Sequence, residues 1–290
     1  MAGQITYDRR TNSALHDITV AMPTFDDDPV VLGHALDAAL AQGLVYPITI
    51  VDMSRGNEVA AVARARGEAV RVIRYPDSRG VSDSRNRLVA LVETRYLLFL
   101  DADAVPTPGW AEAMRRRFDE DERAAIVGAR CLPHWPNSAP LLFETAPASD
   151  FLSFFDLGPE PLEVPRIMGT SYALDLKRLP SEPFPLEVGR SPESLLAGEE
   201  VELCLAAQRA GWRVVYEPGA VVHHHIGPKR ASWRWMWRRV FVAGQESRRL
   251  GRRLEPLPRR SLGLRDMIFM ALVAPAFLYG QLRGPPGRQK

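Results

Sequence analysis

The sequence predicts an α/β fold, a Rossmann-like sheet flanked by helices, followed by a basic, partly amphipathic helical appendage at the C-terminal end. Three observations predict it. Short apolar runs alternate with stretches of helical apolar spacing from Ile18 to Leu100, the pattern of strands covered by helices. One of these runs, Tyr96–Leu100 (YLLFL), is apolar at every position, as a central strand buried on both faces requires. Acidic residues also stand directly after strand candidates, at Asp52 and at Asp101-Ala102-Asp103. Ligands collect at that end of the strands in open α/β sheets.

In chain order, Ile18–Met22 is the first strand candidate. Leu32, Ala35, Leu36, Ala39 and Leu40 then recur at helical spacing and give one apolar face. Ile48–Val51 is a second strand, Val59–Ala65 a helical stretch, and Val70–Arg74 a third strand. A helix follows from Ser82 to Val92, then Tyr96–Leu100. Thr107 and Pro108 suit the cap and first position of a helix whose apolar face is Trp110, Ala113, Met114 and Phe118. Residues 131–165, rich in Pro, Ser and aromatics, are expected to be irregular. Residues 170–176 read as a strand, Glu199–Ala210 as a helix stopped by Gly211, and Trp212–Tyr216 as a strand ended by Pro218.

The expected organisation is a leader over residues 1–16, a main domain over 17–227, divided into halves 17–106 and 107–227, and a tail over 228–290. Charge is uneven along it. Residues 228–290 carry 15 Lys/Arg against 3 Asp/Glu, and the 227 before them carry 22 basic and 32 acidic residues. A near-neutral total thus hides an acidic body and a basic tail, which suits an anionic membrane surface. A nucleic-acid partner is not expected, because the basic residues lie outside the acidic region. In the tail, Trp233, Met236, Trp237, Val240 and Phe241 form a helical stripe suited to packing. Met267–Leu282 is an apolar run flanked by Arg259, Arg260 and Arg265 before it and Arg283 after it, which fits an interfacial segment or a docking helix. It contains Pro275 and is too short for a comfortable membrane span. The two cysteines, Cys131 and Cys204, have no metal-ligand spacing, so a reducing compartment fits. No apolar leader core is visible at the N-terminus. A cytoplasmic location is expected, with peripheral contact to the inner face of a membrane through the tail.

The chemistry-bearing residues cluster in sequence around strand ends. Two carboxylates one residue apart, Asp101 and Asp103, repel each other unless a cation lies beside them. Mg²⁺ or Mn²⁺ takes oxygen ligands and is shared with substrate phosphates. Asp52 has the chemistry to accept from a nucleobase N–H or to cap the following turn. Arg85 can reach a base or a phosphate. Glu199 and Glu200 open a helix, where the dipole favours a charged carboxylate and a general base can sit. His223-His224-His225 follows an apolar run and offers a metal ligand.

Taken in order, these residues resemble the family 2 glycosyltransferases of the GT-A fold. The resemblance runs from about Asp17 to Gly227 and is carried by VAMPTF (20–25), ITIVDMS (48–54), GVSDSRN (80–86), YLLFLDADAVPTPGW (96–110), GTSYAL (169–174), GEEVELCLAAQRAGWRVVYEP (198–218) and VVHHHIG (221–227). It implies a metal-dependent, inverting transfer of a sugar from a nucleoside-diphosphate sugar to an acceptor hydroxyl. It also implies roles: Thr24, Phe25 and Asp52 at the nucleobase, with Pro23 shaping the strand exit; Arg85 at the nucleotide; Asp101 at the ribose or sugar; Asp103 and His224 on Mn²⁺ or Mg²⁺; Glu200, with Glu199 as alternative, as the base; Gly169 and Thr170 on the acceptor side. Two departures stand out. The base position holds Glu rather than the usual Asp, and the VDMS loop is one residue short. The alternative reading is a catalytically weak nucleotide-sugar-binding or scaffold protein of the same fold.

Overall fold

The computed structural model describes residues 15–188, 198–250, 257 and 262–284. The expected leader over residues 1–16 therefore falls almost wholly outside the described residues, as do Arg259 and Arg260 of the tail. Four parallel strands begin the sheet: β1 (Ile18–Thr24), β2 (Ile48–Asp52), β3 (Val70–Arg74) and β4 (Tyr96–Leu100). Helices α1 (Pro29–Leu40), α2 (Glu58–Arg64) and α3 (Val81–Leu91) alternate with them. Every residue of β1, β2 and β4 is buried, which explains why these runs lack a polar alternation. Asp28 caps α1 by accepting from the Val30 and Val31 amides, and Pro29 takes the first helical position, where its missing N–H costs nothing.

The second half of the chain extends the same sheet. Its further elements are β5 (Ala104–Pro106), α4 (Trp110–Glu120), β6 (Ala124–His134), α5 (Ala146–Leu152), β7 (Leu162–Glu163), β8 (Ser171–Asp175), α6 (Glu199–Arg209) and β9 (Arg213–His225). The strand order is β3-β2-β1-β4-β8-β6-β9-β5, with β7 on β9. β8 runs antiparallel to β4 and to β6, so the sheet is mixed and continuous across both expected halves.

Several local expectations are corrected. Residues 131–165 are not wholly irregular: β6 continues to His134, and α5 and β7 lie within them. α4 starts at Trp110, two residues after the expected Pro108, with Gly109 at φ 82° before it. Thr107 is drawn off the helix end by β9, since its amide donates to the Val221 carbonyl at 3.0 Å. β9 does not end at Pro218. Its register on β6 jumps from Ala129–Glu217 to Arg130–Val221, so residues 218–220 bulge out and the strand resumes through the histidines.

The tail forms two helices, α7 (Trp233–Leu250) and α8 (Leu264–Arg283). They share a small core with the α5 region, made of Phe143, Leu152, Phe154, Ile226, Met236, Val240, Phe269 and Val273. Of the expected stripe, Met236 and Val240 are buried but Trp237 is 46% exposed. α7 and α8 meet closely at two glycines: a Cβ on Gly244 would strike the Phe277 carbonyl, and one on Gly280 the Phe241 carbonyl. Cys131 and Cys204 are free and buried, and burial pushes the Cys204 thiol up to about 12.

Candidate active site

Strand ends, helix N-termini and the tail enclose one cavity of about 550 Å³, within the range of small-molecule sites. Asp101 and Asp103 enter it from the turn between β4 and β5, with side chains 35% and 31% exposed. The Asp101 amide donates to the Thr170 carbonyl at 2.9 Å, and the Ala104 amide back to the Asp101 carbonyl at 3.1 Å. The tight turn holds Ala102 inward and both carboxylates outward.

β9 brings His224 to Asp103. Ala104 pairs with His224 in the antiparallel β5–β9 ladder, and the His225 amide donates to the Asp103 carbonyl at 2.8 Å. Side chains alternate along a strand, so the pleat that turns His224 toward Asp103 turns His223 and His225 away. The His224 Nε2 lies 3.3 Å from Asp103 Oδ2. Two ligands of an octahedral cation, each ~2.1 Å from it, stand about 3.0 Å apart. The pair therefore fits one edge of such a shell. Among the described residues no group of three or more His, Cys, Asp or Glu could hold a metal; Asp103 and His224 would supply two ligands, and phosphate oxygens or water would supply others. Arg230 closes the corner. Its Nη1 is 3.2 Å from Asp103 Oδ2 and 3.0 Å from His224 Nε2.

Glu199 and Glu200 stand in the first turn of α6, after Gly198 at φ 107°, a conformation that favours glycine. Arg85 Nη1 reaches Glu199 Oε1 at 2.7 Å and Glu200 Oε1 at 3.0 Å, and its Nη2 lies 3.8 Å from Asp101 Oδ1. Its guanidinium also sits within 6.0 Å of the Phe99, Tyr172 and Phe184 ring centroids. Burial works against its charge, but Tyr172, Glu200, Glu199 and Asp101 outweigh burial and hold it firmly protonated. The Glu199 side chain is 3% exposed and that of Glu200 15%. Gly169 leaves room for this arrangement, because a Cβ there would collide with Glu200 Oε1 and crowd Arg85.

The nucleotide-end residues sort differently from expectation. Pro23 and Phe25 line the cavity, joined by Met53, Pro76 and Ser78. Asp52 is fully buried. Its Oδ1 accepts from the Ser54 amide at 2.9 Å and from the Thr24 hydroxyl at 3.3 Å, while Arg74 lies 3.3 Å from Oδ2. Here Asp52 caps the turn after β2, and Thr24, 1% exposed, braces it. Arg85 lines the same cavity, among the acidic groups described above. Thr170 lines the cavity although it is 1% exposed.

Three contributors escaped the sequence reading. Arg230 lies just past the quoted histidine motif. Asp27 lines the cavity, and burial, with the charges of Asp103, Asp52 and Asp26 adding, pushes its carboxyl up to about 7 against the Phe25 amide. The tail helices supply a wall: Arg239, Ala243, Glu246 and Ser247 from α7 and Phe277 from α8. Arg239 pairs with Glu246 at 3.2 Å there. No signal in the sequence tied a helix beyond residue 227 to the site.

Comparison with known proteins bears on family and fold. Residues 19–137 match the model of the family described as glycosyl transferase family 2. A pre-mycofactocin glycosyltransferase of Mycobacterium tuberculosis is 30% identical over 175 residues, 60% of this chain and 36% of the relative. This chain thus spans about a third of the length of that relative. A mannosyltransferase from Pyrobaculum calidifontis, solved with GDP-Man and Mn²⁺, superposes with a TM-score of 0.58 at 18% identity, over 92% of this chain and 70% of the other. GalNAc-T7, solved with UDP, GalNAc and Mn²⁺, gives 0.54 at 14% identity, over 79% and 48%. Residues 19–137 thus match the glycosyl transferase family 2, and the chain has the GT-A fold of its solved neighbours.

Proposed function

We propose that the protein transfers a glycosyl group from a nucleoside-diphosphate sugar to an acceptor hydroxyl with inversion. The observation that carries the reading is the convergence of Glu200, Asp101, Asp103 and His224 on one cavity. The nucleobase rests in the end lined by Pro23, Phe25 and Met53, and Asp101 faces the ribose or sugar. Asp103 and His224 hold Mn²⁺ or Mg²⁺, whose charge offsets that of the departing diphosphate. Glu200 takes the proton of the acceptor hydroxyl. The acceptor oxygen bonds to the anomeric carbon, and the bond from that carbon to the diphosphate oxygen breaks, its electron pair leaving with the nucleoside diphosphate. Glu200 is preferred over Glu199 because it is the more open of the two, while Glu199 anchors Arg85. Arg239, Glu246, Phe151 and Phe277 give the acceptor side a mixed polar and apolar wall suited to a saccharide.

Turnover tests the reading. UDP- and GDP-sugars are screened by thermal shift with Mn²⁺, because binding raises the melting temperature; the best donor is then assayed for transfer and hydrolysis. Activity lost in EDTA and restored by Mn²⁺ or Mg²⁺ supports the reading. Tight donor binding without any turnover would leave the binding-protein alternative in its place.

The reading extends to an anionic lipid surface on the cytoplasmic side. None of the described helices is long and apolar enough to cross a membrane. Yet the outer face of α8 exposes Leu264, Met267, Ile268, Leu272, Leu278, Tyr279 and Leu282. At 3.6 residues per turn these fall within about 140° of the helix wheel, over a length of about 30 Å. Its inner face is apolar as well, and a helix apolar all round calls for cover on both sides. Arg265 and Arg283 flank the stripe, as anionic headgroups require. Cosedimentation with vesicles of neutral and of 30% anionic lipid tests this. Binding to the anionic vesicles, reduced by Leu272→Glu with Leu278→Glu, is expected. Absence of binding to both vesicles refutes it, and self-association removed by the same pair would make the face a contact between copies.

A further inference from the structure

The Asp103–His224 corner already holds a cation, and it belongs to the chain. Arg230 lies in the turn between β9 and α7, with its amide donating to the Gly227 carbonyl at 2.9 Å. Its side chain is 19% exposed, and its guanidinium carbon stands 5.5 Å from the Trp235 ring centroid. Nη1 meets both Asp103 Oδ2 and His224 Nε2, at 3.2 and 3.0 Å. Arginine has donors only, so His224 Nε2 is the unprotonated nitrogen that accepts from it. A metal ion bound by His224 Nε2 would use the one lone pair that accepts from Arg230. The guanidinium and the metal therefore exclude each other, while the guanidinium keeps His224 in the tautomer that a metal needs.

We infer that Arg230 is a tethered placeholder, occupying the metal position in the donor-free protein and passing to the diphosphate when metal and donor arrive together. The inference rests on the metal assignment proposed above. Metal alone must displace Arg230 from His224 and weaken its pairing with Asp103. Metal arriving with a nucleoside diphosphate supplies phosphate oxygens close by, and guanidinium–phosphate hydrogen bonds are among the strong ones. Metal and nucleotide then bind with positive coupling, and by linkage each strengthens the other equally. The arrangement also keeps the acidic corner neutralised between turnovers and opposes capture of free metal ions.

Mn²⁺ binding to the full chain, followed by electron paramagnetic resonance and calorimetry, tests the inference without any turnover. Wild type, Arg230→Ala and Arg230→Gln are titrated with Mn²⁺ alone and with Mn²⁺ in the presence of UDP or GDP. Without nucleotide, both variants are expected to bind Mn²⁺ more tightly than wild type, by a factor in the usual coupling range of about 5- to 150-fold. With nucleotide, whose phosphate oxygens add ligands in every case, the affinity of wild type rises by a larger factor than that of the variants. Unchanged or weaker Mn²⁺ binding by both variants in the absence of nucleotide overturns the placeholder role. Asp103→Ala separates the two levels. If it loses Mn²⁺ while the Arg230 variants match wild type, only the Arg230 inference falls. If it binds Mn²⁺ as wild type does, the metal assignment itself is wrong and the inference falls with it.

Discussion

Replacing Glu199 and Glu200 in turn by glutamine separates anchor from base. Both side chains bind Arg85 Nη1, at 2.7 and 3.0 Å, but Glu199 is 3% exposed and Glu200 15%. Breaking a buried ion pair costs about 3–5 kcal/mol. Glu199→Gln should fall at the low end, about 3 kcal/mol, because Arg85 keeps Glu200 and Asp101. At about 2–4 °C per kcal/mol for a large domain, the melting temperature drops by roughly 6–12 °C. Glu200→Gln keeps its shape and an acceptor for Arg85 but cannot take a proton. It should melt near wild type and lose about 10²–10⁴-fold in turnover, the usual contribution of a general base. Scanning fluorimetry and a Mn²⁺-supplemented transfer assay at saturating donor read the two effects. The assignment is refuted if Glu200→Gln keeps near-normal turnover, or if Glu199→Gln loses turnover by that factor while melting as wild type does.

Other outcomes follow from the same geometry. Gly169→Ala should disable transfer while donor binding is largely kept, since its Cβ collides with Glu200 Oε1; a loss of donor affinity alone would contradict this. Asp27 should make the metal-free protein less stable as pH rises. Its folded carboxyl titrates near 7, against 3.8 for the unconstrained group, so between about pH 4 and 7 the folded state binds more protons and loses stability with each step upward. Melts of wild type and Asp27→Asn over that window should converge in slope only when Asp27 is not the source. Gly280→Val should undock α8 from α7, because the Phe241 carbonyl occupies the space, and limited proteolysis should then cut within the tail while the sheet stays resistant.

The parallel half of the fold was legible because its strands are buried on both faces, and local apolar runs are enough to find them. β6 was not, since Gly128 interrupts its apolar run. That glycine is set by tertiary packing: a Cβ there would strike Ile167. β9 was cut short because Pro218 looks like a stop, whereas the chain bulges and continues. In the site, carboxylates at strand ends were readable from position alone. Their partners were not. Arg85 lies 114 residues from Glu199, and Arg230 lies 127 from Asp103; only the folded sheet brings them together. Asp52 shows the opposite limit. A carboxylate at a strand end can face a ligand or hold its own turn, and burial, which the sequence does not contain, separates the two.

The bulge at residues 218–220 also governs which imidazole faces Asp103. It fixes the phase of the last stretch of β9, and a one-residue slip of a strand exchanges its two faces. In most sequences such a slip would carry the histidine away from the carboxylate. Here His223, His224 and His225 are consecutive, so a slip in either direction still sets a histidine opposite Ala104 and beside Asp103. The run works as a spare part on each side, and the corner can tolerate gain or loss of one residue in the bulge without losing its nitrogen donor. A Gly219 deletion that shifts the strand by one residue in a His224→Ala background should restore Mn²⁺ binding through His225.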